Sequence, residues 1–374
     1  MTRKILTLTG LILLAALFSP AAASAQQAIP LERFRPNVKQ VFSRNRGFVA
    51  DVNFDAKVTR ISSIVWQGNM GRSTPVWSME GAFPVAWLAN DGEHLVAGYE
   101  GEKLLRPNYD NNQVMLSFFR RGKIISQVRL DQLVRDVSKL EKAGAGYRWA
   151  RYWGLNPCGH LVLETVEERA LLFNIATGQA AKLKSEKSYG ATGGKTHRNL
   201  LLCHEFQYPA DYVLKQDRIF DGSPSPYISL KRAQDKEWLI DASVEDMADY
   251  PREYLKQSFA QFVLDRASGM YSADGHDGST YATGIARERR YRNRDNLEVI
   301  EFYLNVTRDT YLEGGKTTSE KRVAGPIYAV SVGGSGEPYR VLFLRPADRE
   351  ESSFKATDIL RRIADSVRRG LSDP

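Results

Sequence analysis

After residue 25 the chain lacks any apolar run that approaches a second membrane span, since a spanning helix needs about 20 such residues. No cysteine lies near residue 25, which argues against a lipid-anchored lipoprotein. There is no Gly-x-Ser-x-Gly elbow, so the strand-to-helix nucleophile of an α/β-hydrolase is not spelled out. The alternating oxygens and distal Glu of an EF-hand are missing as well. Cysteine itself is scarce: Cys158 and Cys203 are the only two in 374 residues. No motif with catalytic specificity remains, and the sequence alone reveals no biochemical activity.

What the chain does have begins at its first residues. Arg3 and Lys4 precede an apolar run from Ile5 to Phe18, Pro20 ends it, and Ala23-Ser24-Ala25 supplies a small-x-small cleavage site. These features predict a Sec-type signal peptide over 1–25 and a periplasmic or secreted protein that does not span the membrane once the signal is removed. The net charge is +8, and +6 without Arg3 and Lys4. That excess suits an anionic envelope surface, and export argues against nucleic acid as the partner. In an oxidising compartment two cysteines suggest one disulfide, Cys158 to Cys203. Two buried free thiols are the other reading.

Residues 26–44 are polar with Pro30 and Pro36 and read as an extended lead-in. Three related cassettes follow: Asn45 to Val52, Asn90 to Gly98 and Asn156 to Glu164. Each sets Asn and Gly in a tight turn, then enters a strand of β-branched or large apolar residues. Each is followed by a second strand, Val58 to Trp66, Gln113 to Phe119 and Ala170 to Ile175, and the last two run into Arg120-Arg121-Gly122-Lys123 and Ala176-Thr177-Gly178-Gln179 turns. The stretch from Leu130 to Ala143 has helical spacing and predicts a short amphipathic helix. Lys182 to His197 reads as a long polar loop and Asn199 to Phe206 as a strand. The strand, Gly turn and strand pattern over about 45–185 resembles the blades of WD40 and quinoprotein propellers. That resemblance implies antiparallel blade-like sheets. Three units are fewer than a closed propeller needs, so the expectation is a partial propeller, or a variant with one more hidden unit.

Residues 207–226 carry three prolines and read as a linker. Beyond it, Ser243 to Ala267 is helical in pattern, with Ser243 as a cap and Pro251 splitting it in two. A meander follows: Thr280 to Arg290, Leu297 to Tyr311, Lys321 to Val332 and Tyr339 to Leu344. Ile300, Phe302, Leu304 and Val306 alternate with Val299, Glu301, Tyr303, Asn305 and Thr307, which predicts one buried face. A terminal helix from about Phe354 to Gly370 packs through Ile359, Leu360, Ile363 and Val367. Its end, Ile363 to Arg368 after a sheet, is similar to the end of small PsbP/Mog1-like α+β domains. The expected fold is therefore a two-domain β + α/β chain. Blade-like antiparallel sheets occupy 45–206, and an α+β domain with an antiparallel meander and a terminal helix occupies 227–374.

Several motifs invite chemistry. Gly190 to Thr196 looks like a phosphate-binding loop, but Tyr189 stands where the pattern wants Gly and no hydrophobic strand precedes it, so it reads as a loop. Gly315-Lys316-Thr317 is a hairpin turn on the same grounds. Cys158-x-His160 and Cys203-His204 offer four soft ligands for zinc, although adjacent Cys203 and His204 on a strand would point to opposite faces. Neither a metal nor a cofactor is expected. Ser272 to Ser279 holds Asp274, His276 and Asp277, the catalytic candidates for acid–base work, and is equally a turn of two Asp-Gly pairs. Tyr147, Trp149, Tyr152 and Trp153, interleaved with Arg148 and Arg151, could form a platform for sugar rings or an anionic ligand, or pack inside a sheet. Arg287, Arg289, Arg290, Arg292 and Arg294 cluster on one hairpin, and Arg361, Arg362, Arg368 and Arg369 on the terminal helix. They form either solvated faces, one of them a charge-protected edge, or a basic surface for acidic envelope polymer, lipid head groups or an acidic protein.

The sequence thus points to an exported, non-catalytic binding or scaffold protein. The alternative is an envelope hydrolase or sugar-binding enzyme using Asp274, His276 and Asp277 or the aromatic group of Trp149 and Trp153. A concave cleft joining such residues to a distant carboxylate or nucleophile would favour the enzyme.

Overall fold

The computed structural model describes residues 29–30, 37–67, 70–181, 194–218, 224–247, 257–269, 273–275, 278–312, 316–333, 340–347 and 354–369. Nearly all of its strand pairing is between chain neighbours. The first sheet runs Val38–Phe42, Phe48–Asn53, Val58–Gln67 and Met70–Glu80, with Ile29–Pro30 added at its outer edge. The second runs Ala86–Leu88, His94–Gly98, Val114–Arg120 and Lys123–Arg129. The third is Ala150–Leu155, His160–Thr165 and Ala170–Asn174. The three Asn-Gly cassettes all fall at the same place, the turn between the first and second strand of each sheet. There an Asn or Asp side chain caps the turn. Asn45 Oδ1 accepts from the Gly47 amide at 3.0 Å, Asp91 Oδ1 from Glu93 and His94 at 2.8 and 3.1 Å, and Asn156 Oδ1 from Cys158 and His160 at 3.0 Å each. Such side-chain turns fix the entry to the strand and leave the apolar residues after it to pack.

A fourth unit is present. Lys195–Asn199 and His204–Tyr208 form its hairpin. Asn199 to Phe206, read as one strand, is therefore a turn followed by a strand. Asn199 Oδ1 accepts from the Leu202 amide at 2.9 Å, and Cys203 takes φ of 55° inside that turn. The third strand of this sheet comes from the far end of the chain: Arg368–Arg369 pairs with His204 and Glu205. The sequence hid the unit because its turn has Leu200, Leu201 and Leu202 where the other cassettes carry Gly.

Leu104–Leu105, Glu141–Ala143 and Gly146–Arg148 form a further small sheet beside the second and third. The remaining eight strands make one antiparallel sheet. Its order is Tyr212–Arg218, Pro224–Arg232, Ile240–Asp246, Arg340–Pro346, Thr317–Ser331, Glu298–Tyr311, Gly278–Arg292 and Ala273–Gly275. The expected meander is its second half. The 207–226 segment carries the whole of Tyr212–Arg218 and the start of Pro224–Arg232, so its middle belongs to the sheet rather than to a linker. Ser243 lies in a strand instead of capping a helix. Ile240, Ala242, Val244 and Asp246 alternate inward, and that period of two overrides the helical spacing. The helix is shorter, Phe259–Gly269, and buries Phe259, Phe262, Val263 and Ala267 against Ile300, Phe302, Leu304 and Val306.

The other sheet face is covered too, contrary to the single buried face expected. The terminal helix, Phe354–Ser366, lays Ile359, Leu360, Ile363 and Ala364 on Val299, Tyr328, Val330, Leu342 and Leu344. Phe206 of the fourth sheet and Tyr212 enter the same core. Between Leu130 and Ala143 the expected helix is broken into one turn, Leu130–Leu133, a 3-10 turn, Val137–Lys139, and a strand, Glu141–Ala143. Leu130, Leu133, Val134 and Leu140 are still buried, so the apolar spacing is satisfied without a continuous helix.

The turns lock the sheets to one another. Asn45 donates its amide to Asn90 Oδ1 at 3.0 Å and its Nδ2 to Asn90 O at 3.2 Å, joining the first and second sheets. Asn156 Nδ2 donates to Leu200 O at 2.9 Å, joining the third and fourth. Arg340, buried at the start of its strand, donates to Leu202 O of the fourth sheet's turn. Its strand partner Asp246 forms an ion pair with Arg44 of the first sheet's turn. The large sheet is thus tied to both the fourth sheet and the first.

Candidate functional sites

The two cysteines are joined. Cys158 and Cys203 form a disulfide with Cα atoms 6.1 Å apart, stapling the third turn to the fourth. Bridged sulfurs are not thiolates, so the Cys-His set offers no zinc-binding thiolate while the bond is intact. His204 is fully buried beside Phe206, and burial pushes its imidazole down to about 3. His197, its ring 5.0 Å from that of Phe206, is pushed down to about 4 by the same cause. Both are neutral core residues at the joint between the fourth sheet and the large one.

The aromatic segment divides. Trp149 is 0 % exposed, belongs to the core beneath the second and third sheets, and donates Nε1 to Glu102 O at 2.9 Å. It is therefore a packing residue and no platform: it occupies the link between strands Gly146–Arg148 and Ala150–Leu155 and fills the core there. Tyr152 is also largely enclosed, packed on Trp87 at 4.9 Å and on Trp149 at 5.6 Å. Arg148, Arg151, Tyr152 and Trp153 nevertheless line a cleft of about 880 Å³. The remaining walls come from distant segments: Glu102 and Lys103, Glu141, and Glu164 to Val166 with Glu168. Arg148 pairs with Glu141 at 3.3 Å and Arg151 with Glu164 at 3.8 Å. Sequence reasoning missed the glutamates, because isolated carboxylates spread over three segments give no spacing signal. The tool that could have found them is the register of the third sheet, which sets Arg151 opposite Glu164 and Ala150 opposite Thr165.

The hairpin arginines also divide. Strand Gly278–Arg292 is covered on its outer side only over its first residues, by Ala273–Gly275, and is exposed over most of 281–292. Ile285 pairs with Leu304 on the face of the Phe259–Gly269 helix. A bulge at Ala286 then shifts the phase, so Arg287 pairs with Tyr303 and Arg289 with Glu301 on the opposite face, that of the terminal helix. Arg287 stacks on the Tyr303 ring at 3.6 Å, and Arg289 lies 5.6 Å from the Tyr291 ring. Burial, and then the Asp365 carboxylate of the terminal helix, pushes the Tyr291 phenol up, with the Arg361 charge opposing. Arg361 is therefore a neighbour of this row. Arg290 and Arg292 point the other way: Arg290 pairs with Glu288, and Arg292 donates to Asn296 O at 2.8 Å. Arg294 and Arg362 are exposed. Arg368 is tied to the buried Glu205 at 3.1 Å, which Arg198 also meets at 3.0 Å, and Arg369 is exposed at the chain's last strand.

Asp274 lies in the short strand Ala273–Gly275, opposite Ser279. His276 and Asp277 fall outside the described residues, as do 190–193 of the phosphate-loop look-alike. Lys195, the last part of that look-alike to carry a charge, begins a strand and donates Nζ to Tyr212 O at 3.0 Å. Among the described residues no helix is long and apolar enough to cross a membrane.

No protein-family model matches the chain, and no curated protein does. Among solved structures it is similar to the cyanobacterial PsbP of Synechocystis sp. PCC 6803, at 13% identity and a TM-score of 0.28, over 50% of this chain and 98% of that one. It is similar to the C-terminal WD40 domain of Sif2 at 12% identity and a TM-score of 0.23, over 84% and 98%. The WD40 domain of Toxoplasma gondii coronin matches at 10% identity and a TM-score of 0.25, over 90% and 80%. At such scores these likenesses carry no argument about function. What stands on this chain's own geometry is a β-rich protein of successive antiparallel sheets.

Proposed function

We propose that this is an exported, non-catalytic binding protein that meets an anionic envelope component through Arg287, Arg289 and Arg361. The observation that carries it is the row of Arg287 and Arg289 on one face of an exposed strand, with Arg361 of the terminal helix beside it. Glu301 and Asp365 on that face are half-buried, whereas the three arginines are exposed, so an approaching surface meets positive charge first. Guanidinium groups held against tyrosine rings lose little side-chain freedom on binding and keep their fork of donors for carboxylate or phosphate oxygens. Arg290, Arg292 and Arg368, engaged elsewhere, are excluded from the row.

The enzyme alternative draws support from the cleft, which brings carboxylates from separate segments together beside Trp153 and Thr165. Retention on an anionic matrix tests the proposal. The mature protein should bind at low ionic strength and elute as salt rises, because exposed charges are screened beyond about 10 Å at 0.1 M. Retention that ignores ionic strength contradicts it.

A further inference from the structure

We infer that the cleft bounded by the third sheet is a second binding site, one for a neutral, hydroxyl-rich ligand such as a carbohydrate chain. Three features select that chemistry. The first is charge. Arg148 with Glu141 and Arg151 with Glu164 set opposite signs side by side along the walls. A ligand of one sign would meet its own sign there, whereas a hydroxyl both donates and accepts and is served by carboxylate and guanidinium alike.

The second feature is a pair of polar atoms with no partner. The indole Nε1 of Trp153 and Oγ1 of Thr165 are buried and make no hydrogen bond in the protein, and Thr165 is only 3 % exposed. A buried polar group left unpaired costs about 1–3 kcal/mol, and both residues line the cleft. A ligand hydroxyl would satisfy each. The third feature is shape. A volume of about 880 Å³ lies at the upper end of ligand pockets and has room for more than one sugar ring.

The cleft is separate from the arginine face, so the two sites can fail independently. The mature protein is titrated by calorimetry with cellohexaose, maltohexaose and chitohexaose, and with a heparin hexasaccharide as the anionic arm. Saturable binding of at least one neutral hexasaccharide is expected. Trp153→Phe, which keeps an aromatic ring and removes the N–H, and Thr165→Val should each weaken it about tenfold while the protein melts as before. Arg148→Ala, on the exposed rim, should also weaken it and serves where a core variant misfolds. The inference is overturned if no neutral hexasaccharide binds saturably, if folded variants bind as the wild type does, or if only the heparin arm binds in the cleft.

Discussion

The arginine face and the cleft are both polar, and they are built in opposite ways. The face is made by one strand and one turn of the terminal helix, is open, and presents one sign of charge outermost. The cleft is assembled from four stretches of chain, is concave, and alternates its signs. An open row of like charge suits a large anionic surface that need not fit a shape. A concave, sign-balanced lining suits a smaller ligand that must fit one. The two also rest on different supports. The face is clamped between a helix and an eight-stranded sheet, whereas the cleft leans on the third sheet, whose turn is stapled to the fourth.

That difference in support can be broken most forcefully at the disulfide. The bridge closes 45 residues of sequence, and the loop-entropy relation gives about 4 kcal/mol for a loop of that size. Replacing both cysteines by serine should lower stability by that order in chemical denaturation. Saccharide binding should weaken, while the folded fraction is still retained on the anionic matrix. Equal loss at both sites would show that the two regions do not stand on separate supports.

Acid probes the joint between them. His197 and His204 are buried with imidazoles pushed down to about 4 and about 3. Their folded values lie below the ordinary 6.5, so the unfolded chain binds protons that the folded one refuses. The stability from keeping them neutral is complete above about pH 6.5 and is lost as pH falls toward 4 and 3. At pH 5 the loss is on the order of 2 kcal/mol for each histidine. Melting temperatures measured from pH 7 to 5 should fall, and the fall should shrink in His197→Phe. A flat profile would mean that neither histidine is buried neutral.

A smaller effect is expected at Asn156, which is buried, accepts from two backbone amides and donates to Leu200 O. Asn156→Ala removes the cap and the link between the third and fourth turns together, for about 1–2 kcal/mol in chemical denaturation. No change in the unfolding midpoint would show that the turn contacts merely accompany the sheets rather than hold them.

Much of this arrangement was legible in the residues. The cassettes at Asn45, Asn90 and Asn156 located three of the five smaller sheets, because an Asx turn leaves its capping residue in plain view. The meander and the terminal helix followed from period-two and helical spacing at Ile300 to Val306 and Ile359 to Val367. The fourth unit was hidden, since Asn199 begins a turn of leucines and its third strand, Arg368–Arg369, comes from the end of the chain. The helix expected from Ser243 failed because Ile240 to Asp246 satisfies both periods over so few residues, and the neighbouring strand Arg340–Pro346 decided between them. For the sites, the sequence supplied the arginine cluster but not its division. A single bulged residue, Ala286, moves Arg287 and Arg289 to the face opposite Ile285, and nothing local marks it. Trp149 and Trp153 looked alike in sequence, and only the fold separates the core tryptophan, at the link between two strands, from the one at the cleft.

The division of the arginines gives the most direct measurement. Binding to phosphatidylglycerol vesicles is compared for the mature wild type, for Arg287→Ala/Arg289→Ala/Arg361→Ala, and for Arg290→Ala/Arg292→Ala. Each basic residue near an anionic surface contributes about 1 kcal/mol, so the first variant should bind about a hundredfold more weakly and lose most of its salt dependence. The second should bind within about twofold of wild type, because a charge engaged on the far side of the strand contributes little. Equal weakening of the two variants, or none in the first, would contradict the assignment of the arginine face.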